Sequence, residues 1–130
     1  MTCSTCSSPT VAVEVPESYR EYAPERSATV AICTHCLTVE STRDGERNPN
    51  FTAISDALPS NADAAIPLVL AIDRCDSLVT NRSAIEELLE AVEREGTDPL
   101  LVWDRLSHDP ELEPTVDLER RRHQLEQLLY

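Results

Sequence analysis

Lysine is missing from this chain of 130 residues, and all 11 basic residues are arginine. Against them stand 24 Asp and Glu, giving a formal net charge of −13. Cationic side chains are what neutralise phosphate. Their scarcity disfavours free-standing nucleic-acid binding and docking on anionic membranes. A lysine-free acidic surface is the one expected in a cytosol with molar salt. There the carboxylates hold water while the salt screens their mutual repulsion. Glycine is scarce as well. With Gly45 and Gly96 as the only two, a glycine-rich loop cradling phosphate is excluded. Long apolar runs are also lacking. The longest stretch, around Ile66–Ile72, is too short to cross a bilayer. No apolar run comes after the opening Met-Thr-Cys, so no secretory leader is expected. These absences predict a cytoplasmic protein whose thiols stay reduced.

Cysteine is what the chain does have. Cys3 and Cys6 form one Cys-x-x-Cys pair, and Cys33 and Cys36 form a second. Each pair predicts a short turn that aims two sulfurs at one point. Two such turns complete the tetrahedron that a closed structural zinc prefers. Cys3, Cys6, Cys33 and Cys36 are therefore the predicted ligands of one Zn²⁺, and the same thiolate set also suits iron. A redox dithiol is the competing chemistry. Such a site usually carries a single pair at the start of a helix in a strand–helix–strand unit. Here each pair is flanked by short strand patterns.

Thr10–Val15 alternates Val11, Val13 and Val15 with Ala12 and Glu14, which predicts a half-buried strand ended by Pro16. Glu17–Ala23 suits one helical turn stopped by Pro24. Ala28–Ile32 predicts a second strand feeding into Cys33, and Leu37–Val39 a third leaving the second turn. So small a sheet buries too little surface to stand alone, and a metal would supply the missing folding energy.

Residues 1–42, on this cysteine spacing, resemble the zinc-ribbon class. Many ribbon turns place Pro inside the pair and Gly just after it; this chain has Ser4 and Ser7, then Thr34 and Leu37. The whole chain resembles a set of small, uncharacterised proteins of halophilic archaea with two N-terminal Cys-x-x-Cys pairs and a helical C-terminal half. The resemblance implies a fold and a metal, not a reaction.

Residues 41–50 are polar and read as a surface loop. Asn50 is a predicted cap for a short helix over Phe51–Ala57, whose Phe51, Ile54 and Leu58 would dock the ribbon on the helical half of the chain. A long helix is predicted over 64–80, with Pro67 in its first turn and a stripe of Leu68, Ile72, Cys75 and Val79. Ser83 with Glu86 reads as a capping box opening a second helix, which buries Ile85, Leu88, Leu89 and Val92. Gly96 suits a left-handed C-terminal cap. Asp98-Pro99 opens a third helix, running to about His108. A final helix is predicted from Thr115 to Leu129. The expected architecture is α+β: a three-stranded zinc ribbon (1–42), a linker with a short docking helix (43–63), and a bundle of about four helices (64–130).

Other candidates have plain readings. Cys75, on an apolar stripe, is expected in the core as a small hydrophobe. His35 should turn its ring away from the metal. Asp104 with His108, and Glu119 with His123, are i,i+4 pairs that could hold a second metal only if their two faces met. Arg120, Arg121 and Arg122 form the only basic run, either a phosphate or partner clamp or a solvated face paired with nearby acids. No catalytic set is legible. The expectation is a non-enzymatic adaptor or regulatory protein that meets a protein partner. An accessory role beside nucleic acid in transcription or translation is the first alternative, and a thiol oxidoreductase the second.

Overall fold

The computed structural model describes residues 2–45 and 49–130. Part of the predicted polar loop, Glu46–Asn48, lies outside the described residues. Among those described, three strands precede four α-helices, and the fold is α+β as expected.

Strands β1 (Thr10–Glu14), β2 (Thr29–Cys33) and β3 (Val39–Ser41) form one antiparallel sheet in the order β1-β2-β3. The register sets Val13 opposite Val30 and Ile32 opposite Val39. Residues facing each other across an antiparallel pair share a sheet face. Both pairs are buried and join the helices in one continuous apolar core. The third strand begins two residues later than the predicted Leu37–Val39. The reason is local: Leu37 takes a left-handed conformation with φ of 61°, closing the turn before the strand can start. Gly45 passes so close to β1 that a Cβ there would lie 2.5 Å from the Val13 carbonyl carbon.

The segment after β1 makes a 3₁₀ helix at Glu17–Tyr22. The predicted helix over Phe51–Ala57 is only a 3₁₀ turn, Phe51–Ala53. Asn50 caps it by accepting from the Thr52 N–H at 3.1 Å. Ser55 then stops it, because its hydroxyl donates to Asp109 at 2.6 Å and accepts from the Ala57 N–H at 3.1 Å. Phe51, Ile54 and Leu58 nonetheless reach the core.

Helix α1 spans Ala62–Arg74 and is capped by the Asn61 side chain. It starts earlier and ends sooner than the predicted 64–80, so Pro67 lies past the first turn. Every residue from Ala64 to Ile72 is buried. A helix apolar all round must be covered all round. Here α1 packs on the next helix and touches β3. A 3₁₀ turn, Cys75–Ser77, comes next. Cys75 is in the core as expected, but Val79 is 86% exposed because the helix that would have buried it has already ended.

Helix α2 is Arg82–Arg94. The predicted Ser83–Glu86 capping box does not open it. Asn81 holds the N-cap position and spends its side chain on α1, donating to the Arg74 carbonyl at 3.0 Å and accepting from the Arg74 guanidinium at 3.3 Å. Ile85, Leu88, Leu89 and Val92 form the buried face as predicted. Gly96, with φ of 82°, takes the left-handed position after the helix. Helix α3, Pro99–Ser107, is capped by Asp98, which accepts from the Leu100 and Leu101 N–H groups. Helix α4, Leu118–Leu129, begins three residues after the predicted Thr115, where Asp117 accepts from the Arg120 N–H. Helix α3 packs on α4, and the buried Trp103 indole donates to the Leu118 carbonyl at 2.9 Å.

Candidate metal centre

Both Cys-x-x-Cys turns lie at one end of the sheet. The second is the β2–β3 hairpin itself, with Cys33 ending β2. The first is stitched to it by Thr34, whose N–H and hydroxyl both donate to the Pro9 carbonyl, at 3.0 and 2.8 Å. The residue after each pair, Ser7 and Leu37, has positive φ, 64° and 61°. These are the positions where ribbons often carry glycine. The two turns therefore adopt the tight form without it, at a local backbone cost. In the second turn, the N–H groups of His35 and Cys36 both point at the Cys33 sulfur, at 3.3 Å each. In the first, the Thr5 N–H lies 3.4 Å from the Cys3 sulfur. N–H groups aimed at sulfur favour thiolate over thiol.

The four sulfurs converge, all within 4.8 Å of one another. Cys3 and Cys36 are 3.7 Å apart, Cys6 and Cys33 3.4 Å, and Cys6 and Cys36 3.6 Å. A disulfide would need about 2.05 Å. A tetrahedral ion with sulfur bonds of about 2.3 Å sets its sulfurs roughly 3.8 Å apart. The residues fit a four-coordinate metal. Cys3, Cys33 and Cys36 are buried, and Cys6 is the partly open member. Among the described residues no second group of three or more Cys, His, Asp or Glu side chains converges in this way.

The thiols differ in electrostatic surroundings. Burial holds Cys33 up at about 12 and pushes Cys36 up too. The Ser8 hydroxyl and N–H bring Cys6 down to about 6. At Cys3 burial works upward, but N–H groups of Cys6 and Thr5 leave it below the ordinary thiol value. A divalent ion bound among them would supply the positive charge that holds all four as thiolates.

A single family description covers nearly the whole chain: "Family of unknown function (DUF6276)" matches residues 2–129. The chain belongs to this family. No curated protein and no solved structure matches it. In this DUF6276 chain the remaining candidates are accounted for by ordinary contacts. His35 turns outward as expected. Its Nδ1 lies 2.9 Å from the Glu111 carbonyl, its Nε2 3.4 Å from the Glu113 carboxylate, and its own carbonyl accepts from the Glu113 N–H at 2.8 Å. This clasp ties the second metal turn to the α3–α4 connection. Nothing local in the sequence signals it, because the partners are more than 70 positions away. Asp104 pairs with Arg122 at 3.4 Å and with His108 at 3.7 Å. Glu119 and His123 line a separate, exposed cleft with Arg120. The Arg run is split: Arg122 also pairs with Glu126 at 2.6 Å, while Arg121 donates to Gln124 and to the Asp76 main chain. No described helix is long and apolar enough to cross a membrane.

A cleft of about 230 Å³ separates the second metal turn from the end of α1 and the α3–α4 connection, with Asp73 on its wall. Burial raises the Asp73 carboxyl to about 6, although the Val39 N–H works the other way. A carboxyl raised on folding contributes stability while protonated, below about pH 4, and loses it as pH climbs through 6. Asp73→Asn is therefore expected to stabilise the fold at pH 8 by about 1–2 kcal/mol, discounted for partial exposure. The gap between variant and parent should shrink steadily from pH 7 to pH 5. Urea midpoints of both proteins across that range are the check. A pH-independent gap would mean that the carboxyl is already ordinary.

Proposed function

We propose that this chain is a zinc-binding, non-enzymatic adaptor or regulatory protein of a saline cytoplasm, acting through contacts with a protein partner. The convergence of Cys3, Cys6, Cys33 and Cys36 carries the reading. Four protein thiolates fill a tetrahedral shell, so a metal held there has no open position for substrate or water. Such a site holds structure together rather than turning over. Zinc is the ion proposed because two Cys-x-x-Cys turns closing on one point are the common structural-zinc pattern; the same shell admits iron, so metal content decides between them. The net charge of −13 with no lysine supports a saline setting and a protein partner rather than nucleic acid.

The test is metal content with a thiol count, on protein purified in high salt without chelator. One zinc per chain is expected. Cys75 should be the single thiol that reacts once the core is opened with the metal retained. Folded protein holding two disulfides and no metal would overturn the reading in favour of thiol redox chemistry. One iron per chain would overturn the metal assignment.

A further inference from the structure

A groove of about 430 Å³ runs between the α1–α2 connection and one face of α4, from Arg121 to Leu128. Leu78, Val79 and Leu128 supply its apolar surface, and Arg121, Gln124 and Gln127 its polar side. Val79 is 86% exposed and Leu128 38%. The chain has 24 acids, yet among the described residues no carboxylate lines this groove. Four other clefts each have at least one, among them Asp44, Asp73, Glu93 and Glu119.

The cations at the groove are also unlike their neighbour Arg122, which is held by Asp104 and Glu126. Arg121 donates only to neutral oxygens, Gln124 Oε1 at 2.9 Å and the Asp76 carbonyl at 3.3 Å. Arg82 donates to the carbonyl of Leu128, on the groove wall, at 2.9 Å. Among the described residues neither has a carboxylate at ion-pair distance. Two guanidinium groups flanking exposed aliphatic surface are complementary to a ligand that is aliphatic and anionic at once. A second copy of the chain fits poorly. A two-fold contact would set the groove against itself, with guanidinium facing guanidinium and no acid between them.

We infer that this groove docks an acidic, aliphatic peptide segment of a partner protein. Its Leu, Ile or Val side chains lie against Val79 and Leu128, and a neighbouring Asp or Glu reaches Arg121 from above, with Arg82 adding to the field. The inference deepens the adaptor reading by naming a face and a partner chemistry. None of the four cysteines lines the groove, so the two can fail separately: missing metal sinks the zinc reading, and missing peptide binding in metal-loaded protein sinks this one.

The test uses the full-length, metal-loaded protein and a random dodecapeptide library displayed on phage. Enriched peptides are then titrated by fluorescence anisotropy. Enrichment of Asp or Glu within a few positions of Leu, Ile or Val is expected. Binding should fall at least tenfold in Arg121→Glu, fall similarly in Val79→Glu, and survive in part in Arg121→Lys. Val79 is exposed, so its substitution leaves the fold intact, with metal content as the control. Three results would overturn the inference. One is no enrichment. Another is enriched peptides that lack acids or bind Arg121→Glu equally well. The third is a parent protein that dimerises in sedimentation velocity, with Val79→Glu monomeric, which would assign the groove to a second copy.

Discussion

Removing the metal is expected to unfold far more than the two turns that hold it. Structural zinc in small domains contributes about 10–16 kcal/mol of apparent binding free energy near neutral pH. Whole domains are stable by only about 5–15 kcal/mol. The sheet carrying the cysteines contributes Val13, Val30, Ile32 and Val39 to the same core as α1 and α2. Loss of the centre should therefore spread into the helices. Cys75, fully buried in that core, is the built-in reporter. With chelator present and thiols kept reduced, all five cysteines should react with a thiol reagent, and helical circular dichroism should fall. Cys36→Ser removes one buried ligand and should give the same loss of helix without chelator, with all four remaining cysteines, Cys75 among them, reactive. If four thiols react while Cys75 stays protected, the helical part stands without the metal and sheet and helices are not coupled.

The second large effect is expected at Trp103. Its side chain is fully buried, and its indole N–H closes the hydrogen bond to Leu118 at the start of α4. Trp103→Ala empties the centre of the α3–α4 contact and should cost about 3–5 kcal/mol. Trp103→Phe keeps most of the apolar volume and loses the hydrogen bond, so about 1–2 kcal/mol is expected. Urea unfolding tracked by far-ultraviolet circular dichroism measures both, as no other tryptophan is present to report by fluorescence. An alanine variant within about 1 kcal/mol of the parent would show that α4 contributes little to the fold.

What could be read in advance divides along physical lines. Local chemistry was legible where one residue decides the outcome. Asn50 and Asp98 cap the turn and helix that come after them, Gly96 takes the left-handed position, and the two cysteine pairs bring four sulfurs together. The buried face of α2 could be read from its period. Features decided by neighbours were not legible. The stripe through Leu68, Ile72 and Cys75 runs on smoothly to Val79, yet the helix stops at Arg74. There Asn81 binds the Arg74 main chain and the Arg74 guanidinium donates to the Tyr22 carbonyl. Periodicity does not contain that tertiary competition. Ser83 and Glu86 carry the letters of a capping box two residues after the true cap, Asn81. Leu37 looks like the start of a strand because it is apolar. The metal turn instead bends it into a conformation its side chain disfavours, and its burial in the core offsets the strain. The His35 clasp has no local signature at all.

From Ala64 to Ile72, helix α1 has no wet side. Its end shares a cleft wall with Leu37 of the second metal turn, through Ile72, while another side rests on α2. A fragment beginning near Ala62 would leave one flank of that helix bare, as a stripe of Ala, Leu and Ile facing water. Such a fragment would precipitate or pair with itself, whatever the salt concentration. The two ends of the molecule thus act as solubilising covers for each other. The cysteine turns thereby help to keep the centre of the helical half out of solvent.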